Sequence, residues 1–152
     1  YHYGGYMIFY LWPHYKPYID GRADTVYDAD FFNLYAQVIR EPSILKAQAQ
    51  KHQLEWLFLE YNPSLRHRAH LDQNDEWTLI HWDTHGLIYV RADGPNQKLA
   101  QARAYHALQP YRLTQQLEEK DLERSAVEKD IAHLKQDDPN NPIIEIIEST
   151  LL

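Results

Sequence analysis

The 152-residue chain has no cysteine, so neither a disulfide framework nor a thiol nucleophile is available to it. That lack leaves the compartment open, because a chain in an oxidising compartment need not use disulfides. Glycine is scarce, at 5 residues, and never falls in the Gly-x-Gly-x-x-Gly spacing that cradles a phosphate. A single methionine excludes a Met-rich docking groove. No apolar run approaches the ~20 residues that span a bilayer, and no signal peptide opens the chain. Runs of Lys and Arg are missing too. The formal net charge is −7, and acids outnumber bases both before and after position 95. Such a chain lacks the clustered positive charge that neutralises nucleic-acid phosphates or an anionic membrane surface. No nucleic-acid partner is expected.

What is present is a globular composition, 44% hydrophobic and 24% charged, with a heavy aromatic share of 13%. The 12 Tyr and 4 Trp argue against disorder. The chain opens at Tyr1 rather than Met, and the expectation is a piece of a longer protein.

Tyr6–Trp12 is a short apolar run that reads as a helix stopped by Pro13. Tyr18–Asp20 reads as a strand ending at the Gly21 turn. Asp28 to Arg40 is an amphipathic helix, with Phe31, Leu34, Tyr35 and Val38 on one face and Asp28 or Asp30 as cap. Ile44 to His52 is a second helix, with Ser43 as its N-cap. Leu54–Glu60, apolar almost throughout, reads as a central strand covered on both faces. Ser64 suits the cap of a short helix through Leu71. Trp77–Trp82 and Leu87–Arg91 form a β-hairpin around Asp83-Thr-His-Gly86. After Asp93-Gly94-Pro95-Asn96 every element reads as helix: 97–108, 113–119, 122–136 and 143–151. Arg124 and Glu128 in the third of these are spaced as an i,i+4 pair.

The expected fold class is therefore α/β. Strands 18–20 and 54–60, joined through helices, are expected to be parallel, with the antiparallel hairpin at an edge. That gives a small mixed sheet flanked by helices over residues 1–94, then a helical appendage over 95–152.

One pattern unites several of these stretches. Gly4-Gly5-Tyr-Met-Ile-Phe-Tyr-Leu-Trp-Pro13, Tyr18-Ile-Asp-Gly-Arg-Ala-Asp24 with Tyr27, Leu54-Glu-Trp-Leu-Phe-Leu59, Trp77-Thr-Leu-Ile-His81 and Gly86-Leu-Ile-Tyr-Val-Arg91 follow in order. This resembles the soluble region after the transmembrane helices in bacterial multi-spanning proteins similar to C-type (dolichyl-phosphate-mannose-type) glycosyltransferases. The resemblance covers roughly residues 3–92. The tail segment Ala126–Pro142, ending Asp-Pro-Asn-Asn-Pro, resembles the end of a tetratricopeptide repeat. Only one such turn is present, and an array needs about three units to bury its faces.

The resemblance implies a parent in the bacterial inner membrane, with this domain on the extracytoplasmic (periplasmic) face. In that class the catalytic acid lies in membrane loops, so no catalytic residue is carried onto this chain. The partners implied are the membrane part of the parent, a protein partner through the helical tail, and a glycan or lipid-linked sugar.

Asp20, Arg22 and Asp24 are the candidate ligand-binding residues. An Arg at a strand end can hold a phosphate or carboxylate bidentately. The preferred reading is structural, with Arg22 bridging Asp20 and Asp24 around Gly21. His67 with His70, and His81 with His85, are the closest approaches to metal-ligand spacing, but no three or four ligands converge in the sequence. Neither a metal nor any other cofactor is expected. Tyr1, Tyr3, Tyr6, Tyr10 and Trp12 fit an aromatic belt at a membrane interface, or packing against the sheet. The functional expectation is a non-catalytic domain that positions an acceptor or partner. The alternatives are an interaction module acting through its tail, and a small soluble enzyme using the Asp20/Arg22/Asp24 cluster.

Overall fold

The computed structural model describes residues 2–22 and 25–152. The chain forms two compact units, Tyr1–Leu45 and Lys46–Leu152.

In the first unit, α1 (Gly4–Leu11) ends at Trp12, just before Pro13. The next helix, α2 (Ala29–Arg40), starts where the Asp28 carboxylate accepts from the Phe31 amide at 2.8 Å. That satisfies one of the free donors of the first turn. Its face is the expected one: Phe31, Leu34 and Tyr35 are half-buried and Val38 is buried. Tyr27 stacks on Phe31, with ring centroids 4.9 Å apart. A third helix, α3 (Pro42–His52), runs into the second unit.

The second unit is built on a sheet of β1 (Trp56–Glu60), β2 (Trp77–Trp82) and β3 (Gly86–Arg91), in the order β1-β3-β2. Both pairings are antiparallel, with Trp56 opposite Val90, Glu60 opposite Gly86, and Trp77 opposite Arg91. Asp83 shapes the β2–β3 turn, its Oδ1 accepting from the amides of His85 and Gly86, each at 2.7 Å. A register shift between Leu79 and His81 leaves Ile80 as the extra residue of a bulge. Consequently both Leu79 and Ile80 are buried, and Ile80 packs with Val90 and Ala100 while Trp56 and Ile88 flank them.

This sheet corrects the expected topology. Among the described residues there are no parallel strands. Tyr18–Asp20 forms no ladder, since Pro17 has no N–H and Asp20 turns its carboxylate onto the amide of Arg22. Among the described residues no strand precedes the 54–60 stretch, so it pairs backwards with β3 and lies at an edge. Its residues 56–59 are only half-buried, whereas Leu87 and Tyr89 of the central β3 are fully buried. The continuous apolar run was misleading because the aromatic and aliphatic content of an edge strand can serve neighbouring helices and loops as well as the sheet.

Four helices follow: α4 (Gln97–Arg103), α5 (Leu113–Glu119), α6 (Arg124–Asp137) and α7 (Ile143–Leu151). The sequence places α5 and α7 at their observed bounds, but 97–108 is helical only to Arg103. Beyond it the chain extends along the open edge of β2, where the Tyr105 amide donates to the Leu79 carbonyl at 3.1 Å. This covers a sheet edge that would otherwise be a pairing hazard. The stretch read as a helix through Leu71 is a 3-10 turn over Arg66–Arg68, with the Ser64 amide held by Asn62 instead. Glu123, rather than Leu122, begins the long tail helix by accepting from Ser125 and Ala126. The Arg124–Glu128 pair forms at 3.0 Å.

Candidate functional site

The Asp-Gly-Arg segment is a closed electrostatic unit. Asp20 is 1% exposed. Its Oδ1 accepts from the Arg22 amide and Nε, both at 2.9 Å, and its Oδ2 accepts from Arg22 Nη2 at 2.7 Å and the Tyr27 hydroxyl at 2.8 Å. The guanidinium is a bidentate fork on the carboxylate, the strongest ion-pair geometry a side chain offers. It holds the Asp20 carboxyl well below the usual carboxylate range, although burial opposes this. Asp24, the third predicted member, lies outside the described residues. The structure therefore brings together Asp20 and Arg22 and adds Tyr27, and the fork that would grip an external anion is already filled by Asp20.

Gly4 completes this unit. A Cβ placed there would lie 2.4 Å from the Asp20 Cα and 2.6 Å from the Ile19 carbonyl. The first turn of α1 thus sits directly on the Asp20 backbone. The Gly-Gly-Tyr and Asp-Gly-Arg stretches, separate in sequence, meet at one contact that only glycine allows. A Cβ on Gly5 meets nothing.

Beside it, α1 presents an aromatic surface. Tyr6, Phe9 and Tyr10, at i, i+3 and i+4, are 69%, 79% and 72% exposed, and Trp12 is also exposed. Phe9 and Tyr10 pack edge to face at 4.9 Å, and Lys16 Nζ lies 5.6 Å from the Trp12 ring centroid. Tyr1, predicted to share this belt, lies outside the described residues, and Tyr3 is half-buried.

In the second unit, Asp137 at the end of α6 is a buried cross-brace. It accepts from Arg103 Nη2 at 2.6 Å, the Tyr105 hydroxyl at 2.8 Å and the Trp82 amide at 3.1 Å. His81 Nδ1 lies 3.2 Å away, and Asp137 raises the proton affinity of that imidazole. His133 stacks on Tyr105 at 4.3 Å between centroids, and burial pushes its imidazole the other way. Asp130 is likewise structural, accepting from the amides of His106, Ala107 and Leu108 at 2.7–3.1 Å. Among the described residues no group of three or more His, Asp or Glu side chains is placed to hold a metal ion. His81 and His85 do not converge: His81 engages Asp83 and Asp137, while His85 Nδ1 meets the Thr84 hydroxyl.

A cleft of about 590 Å³ opens between the loop after β1 and the start of α5, lined by Arg66, His70, Gln73, Tyr111, Arg112 and Gln115. None of these was singled out from sequence except His70, and then only for its spacing. The available signal was Arg66-His-Arg-Ala-His70, a basic cluster in an acidic chain. Its convergence with Arg112 is a product of the fold. Behind the cleft, Asp72 accepts from the Tyr89 hydroxyl at 2.7 Å and the Tyr111 amide at 2.8 Å. Burial pushes its carboxyl up to about 6, against those hydrogen bonds.

No family model, curated protein sequence or solved structure matches the chain.

Proposed function

We propose that the chain is a non-catalytic, extracytoplasmic domain of a bacterial membrane protein of the C-type glycosyltransferase-like class, positioning an acceptor or partner beside the membrane part. The observation that carries this reading is the exposed aromatic face of α1. Tyr6, Phe9, Tyr10 and Trp12 stand largely in solvent, with Lys16 over the indole. Exposed aromatics in a contiguous set mark an interaction surface, and Tyr and Trp beside a Lys suit the headgroup layer of a bilayer. The non-catalytic part of the reading is supported by Asp20, Asp130 and Asp137, whose oxygens bond neighbouring protein donors.

The test is to follow the native-length protein in its own cells. It should stay with membranes after alkaline carbonate washing, and the domain should be cut by protease added to spheroplasts. Recovery in the soluble fraction, or protection from the external protease, would overturn the proposal. A flotation assay with lipid vesicles sharpens it: the 152-residue chain should float, and the Phe9→Ser/Tyr10→Ser variant should float less.

A further inference from the structure

The cleft at Arg66 and Arg112 has the opposite charge state to its surroundings. The chain carries a net charge of −7, yet two guanidinium groups line this recess and, among the described residues, Glu118 is the one acid in its walls. Neither guanidinium is matched by a carboxylate among the described residues. Arg112 is held instead by neutral amides, donating to Gln109 Oε1 at 3.2 Å and to Gln115 Oε1 at 3.3–3.4 Å. Those bonds orient the side chain, which makes no hydrogen bond to a carboxylate among the described residues and feels the buried Asp72 only through space. Gln115 is itself fixed, its Nε2 donating to Glu119 at 2.6 Å. The one carboxylate buried next to the cleft, Asp72, faces inward to Tyr89 and the Tyr111 amide.

Behind Tyr111 stands a third cation. Arg68 Nη1 donates to the Glu60 carbonyl at 3.0 Å and lies 3.4 Å from the Tyr111 hydroxyl, and its Nε is buried without a hydrogen-bond partner. A recess walled by cations that no carboxylate directly pairs attracts anions. Arginine forks match the oxygens of phosphate in pairs. A carboxylate is satisfied by a single fork, whereas two separate guanidiniums suit a dianion with three free oxygens. The volume lies within the roughly 300–1,000 Å³ usual for small-molecule sites, well beyond the needs of a bare phosphate. Two further polar walls, Gln73 and Thr114, carry amide and hydroxyl groups of the kind that bind hydroxylated ligands.

We propose that this cleft binds a small hydroxylated phosphate monoester, of which hexose phosphates are the simplest members, with Arg66 and Arg112 on the phosphate and Gln73 and Thr114 on the hydroxyls. This site does not depend on α1 or on membrane attachment, so it stands or falls separately from the role proposed above.

The experiment is a titration of the 152-residue chain, followed by amide chemical shifts and calorimetry, at low ionic strength. The probes are glucose 1-phosphate, inorganic phosphate, glucose and glucuronate. Glucose 1-phosphate should saturate, with shifts centred on Gln73 and on 111–115. The other three should bind about tenfold or more weakly, each lacking one set of contacts. Arg66→Glu, an exposed change, and Arg112→Gln should each weaken glucose 1-phosphate by about tenfold or more with the melting temperature held. Glu118→Gln should strengthen it. The proposal is overturned if glucose 1-phosphate does not saturate, if glucuronate or inorganic phosphate binds as tightly, or if Arg66→Glu binds like the parent chain.

Discussion

At the Asp-Gly-Arg turn an acid and a base meet, while at the cleft beside α5 they stay apart. Asp20 lies two residues before Arg22, and the local turn folds the guanidinium back onto the carboxylate. Asp72 is also close to a cation in space, but its two oxygens are held by Tyr89 and the Tyr111 amide. Arg112, next along the chain, is left with amide partners. Which charge cluster is open to a ligand follows from this contrast. A bidentate internal pair presents little free field to a ligand, however conspicuous it is in sequence. Cations whose nearest acid is turned into the core keep theirs.

The largest effect should come from adding one methyl group where the turn meets α1. Alanine normally favours a helix over glycine by up to about 1 kcal/mol. At Gly4 the added carbon would meet backbone at 2.4 Å, so Gly4→Ala should destabilise the chain by about 3 kcal/mol. Gly5→Ala, with open space around it, should be neutral or slightly stabilising. Urea denaturation of both variants checks this. Equal behaviour would show that the turn and α1 are not in contact.

The two acids should also titrate in opposite senses. Asp20 is held below its ordinary value, so its contribution is present at neutral pH and lost as pH falls below the ordinary carboxylate range. Asp72 sits at about 6, above its unfolded value of 3.8. Between those values the folded chain keeps a proton that the unfolded chain releases. Stability should therefore fall as pH rises from about 4 to about 6, by an amount on the order of 2–3 kcal/mol, and then level off. Asp72→Asn should remove that slope, measured as the difference in unfolding free energy between variant and parent across pH 4–7. A difference that does not change with pH would place Asp72 in a more solvated setting than its burial indicates.

Within the turn itself, Asp20→Ala strips the acceptor from the Arg22 amide and the Tyr27 hydroxyl. It should cost on the order of 1–3 kcal/mol. Arg22→Ala should cost less, because the Tyr27 hydroxyl and the backbone amide of residue 22 remain on the carboxylate and the exposed guanidinium leaves room for water. Thermal melts of the two variants rank them, and a larger loss for Arg22→Ala would reverse the roles assigned here.

Several local patterns in the sequence are borne out by a local cause. Asp28 caps α2, Phe31 to Val38 form its packed face, and the hairpin around Asp83–Gly86 is set by loop chemistry within a few residues. Two local readings failed on local causes, the strand at 18–20 and the helix through Leu71, and the larger failure was long-range. Nothing in Trp56–Leu59 says that its partner is β3 on one side only, since a continuous apolar run serves a buried centre and a well-covered edge alike. The cleft was hidden for the same reason. Arg66 and Arg112 are remote in sequence, and their pairing as a cationic recess depends on Asp72 choosing Tyr89 across the sheet.

The smallest stability effect is the most pointed. An arginine that only decorates a surface and one that waits for a ligand look alike in a melting curve. Arg66→Ala should change stability by no more than about 0.5 kcal/mol, because it makes no ion pair among the described residues. In 150 mM salt that holds all the more, as exposed charges about a Debye length apart are screened. If Arg66→Ala instead destabilised the chain as Asp20→Ala does, the cleft would be another internally satisfied cluster. The contrast with the Asp-Gly-Arg turn would then collapse. A null effect on melting, joined to a lost response to glucose 1-phosphate, is the combination that a purely structural arginine does not produce.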